Sequence, residues 1–159
     1  MSELNRIIAE LNAIRSDQRA IEDAEEQKRN DAERCEQEAL QIAANEWVVI
    51  KPKLMKKLSL LNQELIAADV ELRVTIDIES PHASIARKET VYFTDVSKNV
   101  ALGHKVAFTV MSDGHTVVVI SKGYMRGQAE EFKYRTAEID ALELNEVFGK
   151  FLTGAAASR

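Results

Sequence analysis

The sequence predicts an α+β protein: a long N-terminal helical arm, a four- to five-stranded antiparallel meander packed by helices, and a C-terminal helix. Three observations carry this reading. Residues 2–69 hold no glycine and one proline, Pro52, and good helix formers dominate them. From Glu71 the apolar spacing falls from about 3.6 residues to 2. After Arg135 the helical spacing returns.

The arm comes first. Leu4, Ile7, Leu11, Ile14 and Ile21 recur at three- and four-residue intervals, as one stripe of a helix does. Written as heptads, one line runs Leu4, Leu11, Gln18, Glu25, Ala32, Ala39 and the other Ile7, Ile14, Ile21, Lys28, Cys35, Ile42. The seam is apolar at its start, charged in the middle and small-sided later, a coiled-coil-like pattern good for two or three heptads. These five residues are the expected interface for self-association, with a dimer the first expectation, or for docking a protein partner. The arm is assigned residues 1–46.

The rest, 47–159, reads as a head domain. Trp47, Ile50, Leu54, Leu58, Leu61 and Leu65 form a second stripe, expected to pack on the head's own sheet. Pro52 interrupts it and predicts a kink or break near 48–52, because the ring opposes the carbonyl of Val48 and lacks an N–H. Leu72, Val74, Ile76 and Ile78 alternate with Arg73, Thr75, Asp77 and Glu79, the mark of a half-buried strand. Ser80-Pro81-His82 ends it. Further strands are expected at about 89–96, 101–112, 115–122 and 130–135, then a helix at about 136–152 with Leu142, Val147, Phe148, Phe151 and Leu152 on one side. Residues 155–159 are expected to fray.

Asp113-Gly114 is the strongest turn signal, a two-residue type I′ hairpin. That loop would set Val110 against Val117, Phe108 against Val119 and Lys105 against Lys122. Both faces of the ribbon would then be apolar, predicting helices on one face and an oligomer contact on the other. Facing lysines repel, so the same end of the sheet, with Lys98, His104, Lys105, Lys122, Tyr124 and Arg126, is a candidate site for an anion or acidic partner. A solvated sheet end is the plainer reading.

In element order the chain resembles assembly proteins that join a coiled coil to a globular head, including kinetochore-type RWD heads. The order of elements alone carries this resemblance, and it transfers no site residues.

Composition narrows the function classes. The net charge of −5 falls as −4 over residues 1–70, +1 over 71–135 and −2 over 136–159. The acidic arm disfavours nucleic acid, whose phosphates need clustered Lys and Arg. No apolar run approaches the ~20 residues that span a bilayer, and the N-terminus lacks a signal pattern, so a cytoplasmic location is expected. Cys35 is the single cysteine, which removes an intrachain disulfide or a multi-thiolate zinc site. There is no glycine-rich phosphate loop and no nucleophile motif. His82, Asp113 and His115 share one end of the meander, where ordinary surface positions are the simpler reading than a metal site. No metal, cofactor or catalytic residue is expected. The reading is a non-enzymatic interaction module, an adaptor, assembly protein or inhibitor. The alternatives are a ligand-binding or enzymatic domain with a pocket walled by Phe93, Phe108, Tyr134 and Phe148, or a binder of phosphate-bearing or acidic partners through the basic loop end.

Overall fold

A computed structural model describes residues 2–123 and 129–157. The element order is helix α1 (Glu3–Leu65), strands β1 (Val70–Ile78), β2 (Ile85–Asp95), β3 (Val100–Met111), β4 (His115–Ser121) and β5 (Ala129–Arg135), then helix α2 (Ala141–Ala157). The strands form one antiparallel sheet in the order β1-β2-β3-β4-β5. The protein is α+β, and residues 1–38 and 39–159 form two compact units.

The first unit is helix alone, and none of residues 2–38 is buried. Its turns are tied locally: Arg6 pairs with Glu10 at 3.9 Å, and Asp31 accepts from Gln27 and Arg34 at 3.1 Å each. Such pairs add only a few tenths of a kcal/mol apiece.

The second unit has the core. Burial along α1 begins at Leu40 and continues through Ala43, Ala44, Trp47, Ile50, Leu54 and Leu58, with Leu61 and Leu65 packed beside them. The expected stripe is therefore the packing face. α1 runs through Pro52 without a break. Pro52, Val48 and Val49 are exposed, so the missing hydrogen bond falls on the wet side of the helix, where water can replace it. Both helices cover one face of the sheet. The Phe108 ring lies 5.8 Å from Trp47 of α1 and 6.3 Å from Phe148 of α2, and Phe93 meets Phe151 edge-on at 6.2 Å.

The expected hairpin register is off by one residue. Lys105 pairs with Ser121, Phe108 with Val118 and Val110 with Thr116. Only Gly114 takes positive φ, at 87°, and its N–H bonds the Met111 carbonyl at 3.3 Å. The reversal is a three-residue loop, 112–114, with glycine at its left-handed position, which sets a different register from a two-residue I′ turn. A slip of one moves every side chain of a strand to the other face. Val106, Phe108 and Val110 are thus joined by Thr116, Val118 and Ile120, all buried under the helices. Ala107, Thr109, Met111, Val117 and Val119 line the outer face and are half-exposed.

The C-terminal helix also differs from expectation. A 3₁₀ turn, Thr136–Glu138, precedes it, pinned by Thr136 N–H to the Gly114 carbonyl at 2.9 Å and by a buried Thr116–Thr136 hydroxyl pair at 2.7 Å. α2 then starts on the returning half of a capping box, from Glu143 to the cap residue. The Asp140 carboxylate accepts from Ala141 N–H at 2.9 Å, and Glu143 reaches back to Asp140 N–H at 3.0 Å. The later start turns Leu144, Val147, Phe148, Phe151 and Ala155 inward and leaves Leu142 exposed. Ala155 is core, so the helix does not fray there, and it continues to Ala157.

One charged group sits in this core. Glu89 of β2 is buried, and its carboxylate accepts from the Trp47 indole N–H and from the Lys51 ammonium, one helical turn apart on α1. Removing one partner of a buried pair leaves an uncompensated charge. Lys51→Met is expected to cost about 2–3 kcal/mol, less than breaking a fully buried pair because Lys51 reaches water. Adding Glu89→Gln should recover about half of it, since the amide oxygen still serves Trp47. Urea unfolding of the three proteins measures this, and an unaffected Lys51→Met would refute the clamp.

Candidate interaction surfaces

The arm residues can be placed first. Leu4, Ile7, Leu11, Ile14 and Ile21 lie on one α1 stripe, between 46 and 63 % exposed. Ile8, 47 % exposed, widens the stripe and was missed by the sequence reading. Its adjacency to Ile7 was the available signal. Successive stripe positions alternate three and four residues apart, so the Leu4 line occupies the a positions of a heptad and the Ile7 line the d positions. Cys35 is exposed on the same d line.

The candidate anion-site residues occupy different surfaces. Lys105 follows the outer face, opposite Tyr92 and Ser121. Lys122 continues the helix-side parity of β4, pairs with Glu130 at 3.3 Å, and lays its stem where a Cβ on Gly154 of α2 would come within 2.8 Å. The two lysines are neither opposed across the ladder nor on one face. Lys98 is exposed in the β2–β3 turn, where its N–H bonds Asp95 at 3.2 Å. That bond and the Ser97 hydroxyl hold the Asp95 carboxyl below its ordinary value, the Ser97 bond contributing more. His104 is buried edge-on against Phe93 and accepts from Gly123 N–H at 3.2 Å, so it braces Gly123 just past the end of β4. Tyr124 and Arg126 lie outside the described residues.

At the other end of the sheet, Ser112 N–H bonds the Ser84 carbonyl at 2.8 Å, bringing the β1–β2 loop beside the hairpin. His115 Nδ1 is 3.4 Å from Asp113 and Lys133 Nζ 3.7 Å. Among the described residues, no group of three His, Cys, Asp or Glu is placed to hold a metal ion. Phe93, Phe108 and Phe148 are buried against one another or their neighbours and fill the core. Tyr134 is half-buried, its phenol raised by burial first and then by Glu146 and Glu143.

A concavity among the described residues lies elsewhere. An open groove of about 890 Å³ runs between the end of α1 and the edge strand β1, lined by Met55, Ser59, Asn62, Ile66, Val74 and Val96 among others. Asn62 spans it. Its amide donates to the Leu72 carbonyl at 3.1 Å and accepts from Leu72 N–H at 2.8 Å, filling both outward backbone groups as a further strand would. A smaller recess of about 430 Å³ joins Lys53, Lys56 and Lys57 to the start of α2. Asp140 already occupies that helix start, 3.3 Å from Lys53, and its carboxyl is lowered by the Ala141 N–H first and by Lys53 second.

Comparison with protein-family models, curated proteins and solved structures finds no match for this chain. Its surfaces are therefore read from their own residues. Among those described, no helix is long and apolar enough to cross a membrane.

Two outcomes follow from these geometries. Asn62→Ala should lower stability by about 1–2 kcal/mol, the worth of two hydrogen bonds on a half-buried edge, and hydrogen exchange at the Leu72 amide should quicken; unchanged exchange would mean the amide does not cover the edge. The second concerns Asp113, which is held below the ordinary carboxylate value of 3.8 chiefly by the His115 N–H, then by the charges of His115 and Lys133. A lowered carboxylate stabilises the fold above its unfolded value, and the contribution fades as pH falls through the folded one. The difference in melting temperature between wild type and Asp113→Ala should accordingly be largest near neutrality and narrow below pH 3.8.

Proposed function

We propose that this protein is a non-enzymatic protein–protein interaction module that acts through the apolar stripe of its N-terminal helix. The observation that carries the reading is the stripe itself: six large aliphatic side chains, each about half exposed, in a unit where none of the described residues is buried. Isolated helices draw little stability from propensity, and in proteins most of it comes from packing an apolar face. Burying the remaining surface is worth on the order of 1 kcal/mol per side chain. The second unit closes its own core with α1, the sheet and α2, and supplies a stable body on which the stripe is carried. Two carboxylates of this unit are already engaged, Asp77 by the Thr90 hydroxyl and Glu130 by Lys122, which favours a binding role over an acid–base one.

The test uses the full chain. Light scattering should give wild type a mass above that of one chain, and Leu11→Ser with Ile14→Ser should return it to a monomer. Both sites are exposed, so the unfolding midpoint of the second unit should stay put. A wild type that is monomeric, and that captures no protein which the double variant fails to capture, would overturn the proposal.

A further inference from the structure

The residues flanking the stripe say which partner it fits. Taking Leu4, Leu11 and Gln18 as a positions and Ile7, Ile14 and Ile21 as d, the g positions are Glu3, Glu10, Asp17, Ala24, Asp31 and Glu38. Not one is basic. The e positions are Ile8, Arg15, Glu22, Arg29 and Glu36. In an antiparallel pair of copies, g faces g along one flank, so acid would meet acid at any register. In a parallel in-register pair, each g faces the e five residues on in its neighbour. Glu10 then meets Arg15 favourably, and the Glu3 position falls beside Ile8. Like charges meet at the third heptad, Asp17 with Glu22, and again past the apolar seam, Asp31 with Glu36.

The core composition speaks to the number of strands. Ile at a with Leu at d suits two helices, whereas Leu at a with Ile at d shifts the preference to three or four. This chain has the second arrangement, Leu4 and Leu11 at a and Ile7, Ile14 and Ile21 at d. Ile8 at e agrees with it. In a two-stranded coil an e side chain stays on the rim, whereas additional strands enclose it. Past Ile21 the seam carries Glu25 and Lys28, which limits the apolar contact to the first three heptads.

Resting on the proposed interaction role, we infer that the stripe's partner is further copies of this chain, three or four helices joined parallel and in register over residues 4–21. The acidic arm, with 11 acidic and 6 basic residues in 1–38, opposes this assembly through net repulsion. Salt screens such repulsion between exposed charges, so the assembly tightens as ionic strength rises.

The test is made on the full chain carrying Gln18→Cys and Cys35→Ser, which has a single thiol at an a position. Parallel copies bring the thiols together across the seam. Antiparallel copies aligned on residues 4–21 would set residue 18 opposite residue 7, roughly 16 Å away along the axis. Sedimentation equilibrium should give the mass of three or four chains, with the dissociation constant falling at least severalfold between low and high salt. A bis-maleimide too short to span the antiparallel distance should convert most of the protein to covalent dimers, and adding Leu11→Ser with Ile14→Ser should abolish that product. A two-chain mass overturns the stoichiometry, and an oligomer that does not cross-link overturns the parallel alignment. A monomer overturns self-assembly altogether, yet leaves the interaction role to be decided by stripe-dependent capture of another protein.

Discussion

A carboxylate enclosed between a helix and a sheet has to be matched, and the two groups that match Glu89 both come from α1. Trp47 and Lys51 are one turn apart, so their joint hold on a single side chain sets both the rotation of α1 and its position along β2. The apolar contacts alone would tolerate sliding, because a Leu can exchange one greasy neighbour for another. With Glu89 fixed, Ile50, Leu54 and Leu58 fall on the buried face. Four turns beyond Trp47, the same rotation brings Asn62 beside the outer edge of β1. Burying charge is costly unless it is matched, and here both matching groups lie on α1.

The sheet face beneath the helices is a second consequence of strict alternation. Phe108 meets one aromatic from each helix, so both helices are accommodated on one side of five strands. The outer side keeps Ala107, Val117 and Val119 between Lys105 and the β5 residues Glu131, Lys133 and Arg135. That mixture leaves the outer-face apolar side chains half-exposed beside charged ones. The first unit has no covered face like the one beneath the helices. Its apolar side chains share a single helix face, and one helix cannot fold onto itself to cover them.

Charge separates the two units as clearly as packing does. The whole formal charge of −5 resides in residues 1–38, and residues 39–159 balance at 15 acidic and 15 basic groups. Within the head, three carboxylates are engaged locally: Asp95 and Asp113 by turn N–H groups, Asp140 by the start of α2. Acidic groups on the helix of the first unit largely face solvent.

Much of this was legible in order along the chain. Periodicity is a local property of an element, so the α1 stripes, the switch to extended structure at Val70 and all five strands could be read from residue spacing. The capping-box sequence Asp140-Ala-Leu-Glu143 was also there to be read, and overlooking it misplaced the start of α2 and put Leu142 on the wrong face. What only tertiary structure decided are the relations between elements. The hairpin register turned on whether Asp113 adopts positive φ as well as Gly114. Both a two-residue type I′ loop and a three-residue loop with a glycine bulge are common hairpin connections, and the sequence Asp-Gly suits either. The Glu89 clamp and the Asn62 cover join residues 42 and 10 positions apart, and no local pattern announces such pairs. Lys105 and Lys122 were separated for the same reason: alternation settles the face of each residue only after the register is known, and the register is a property of two strands together.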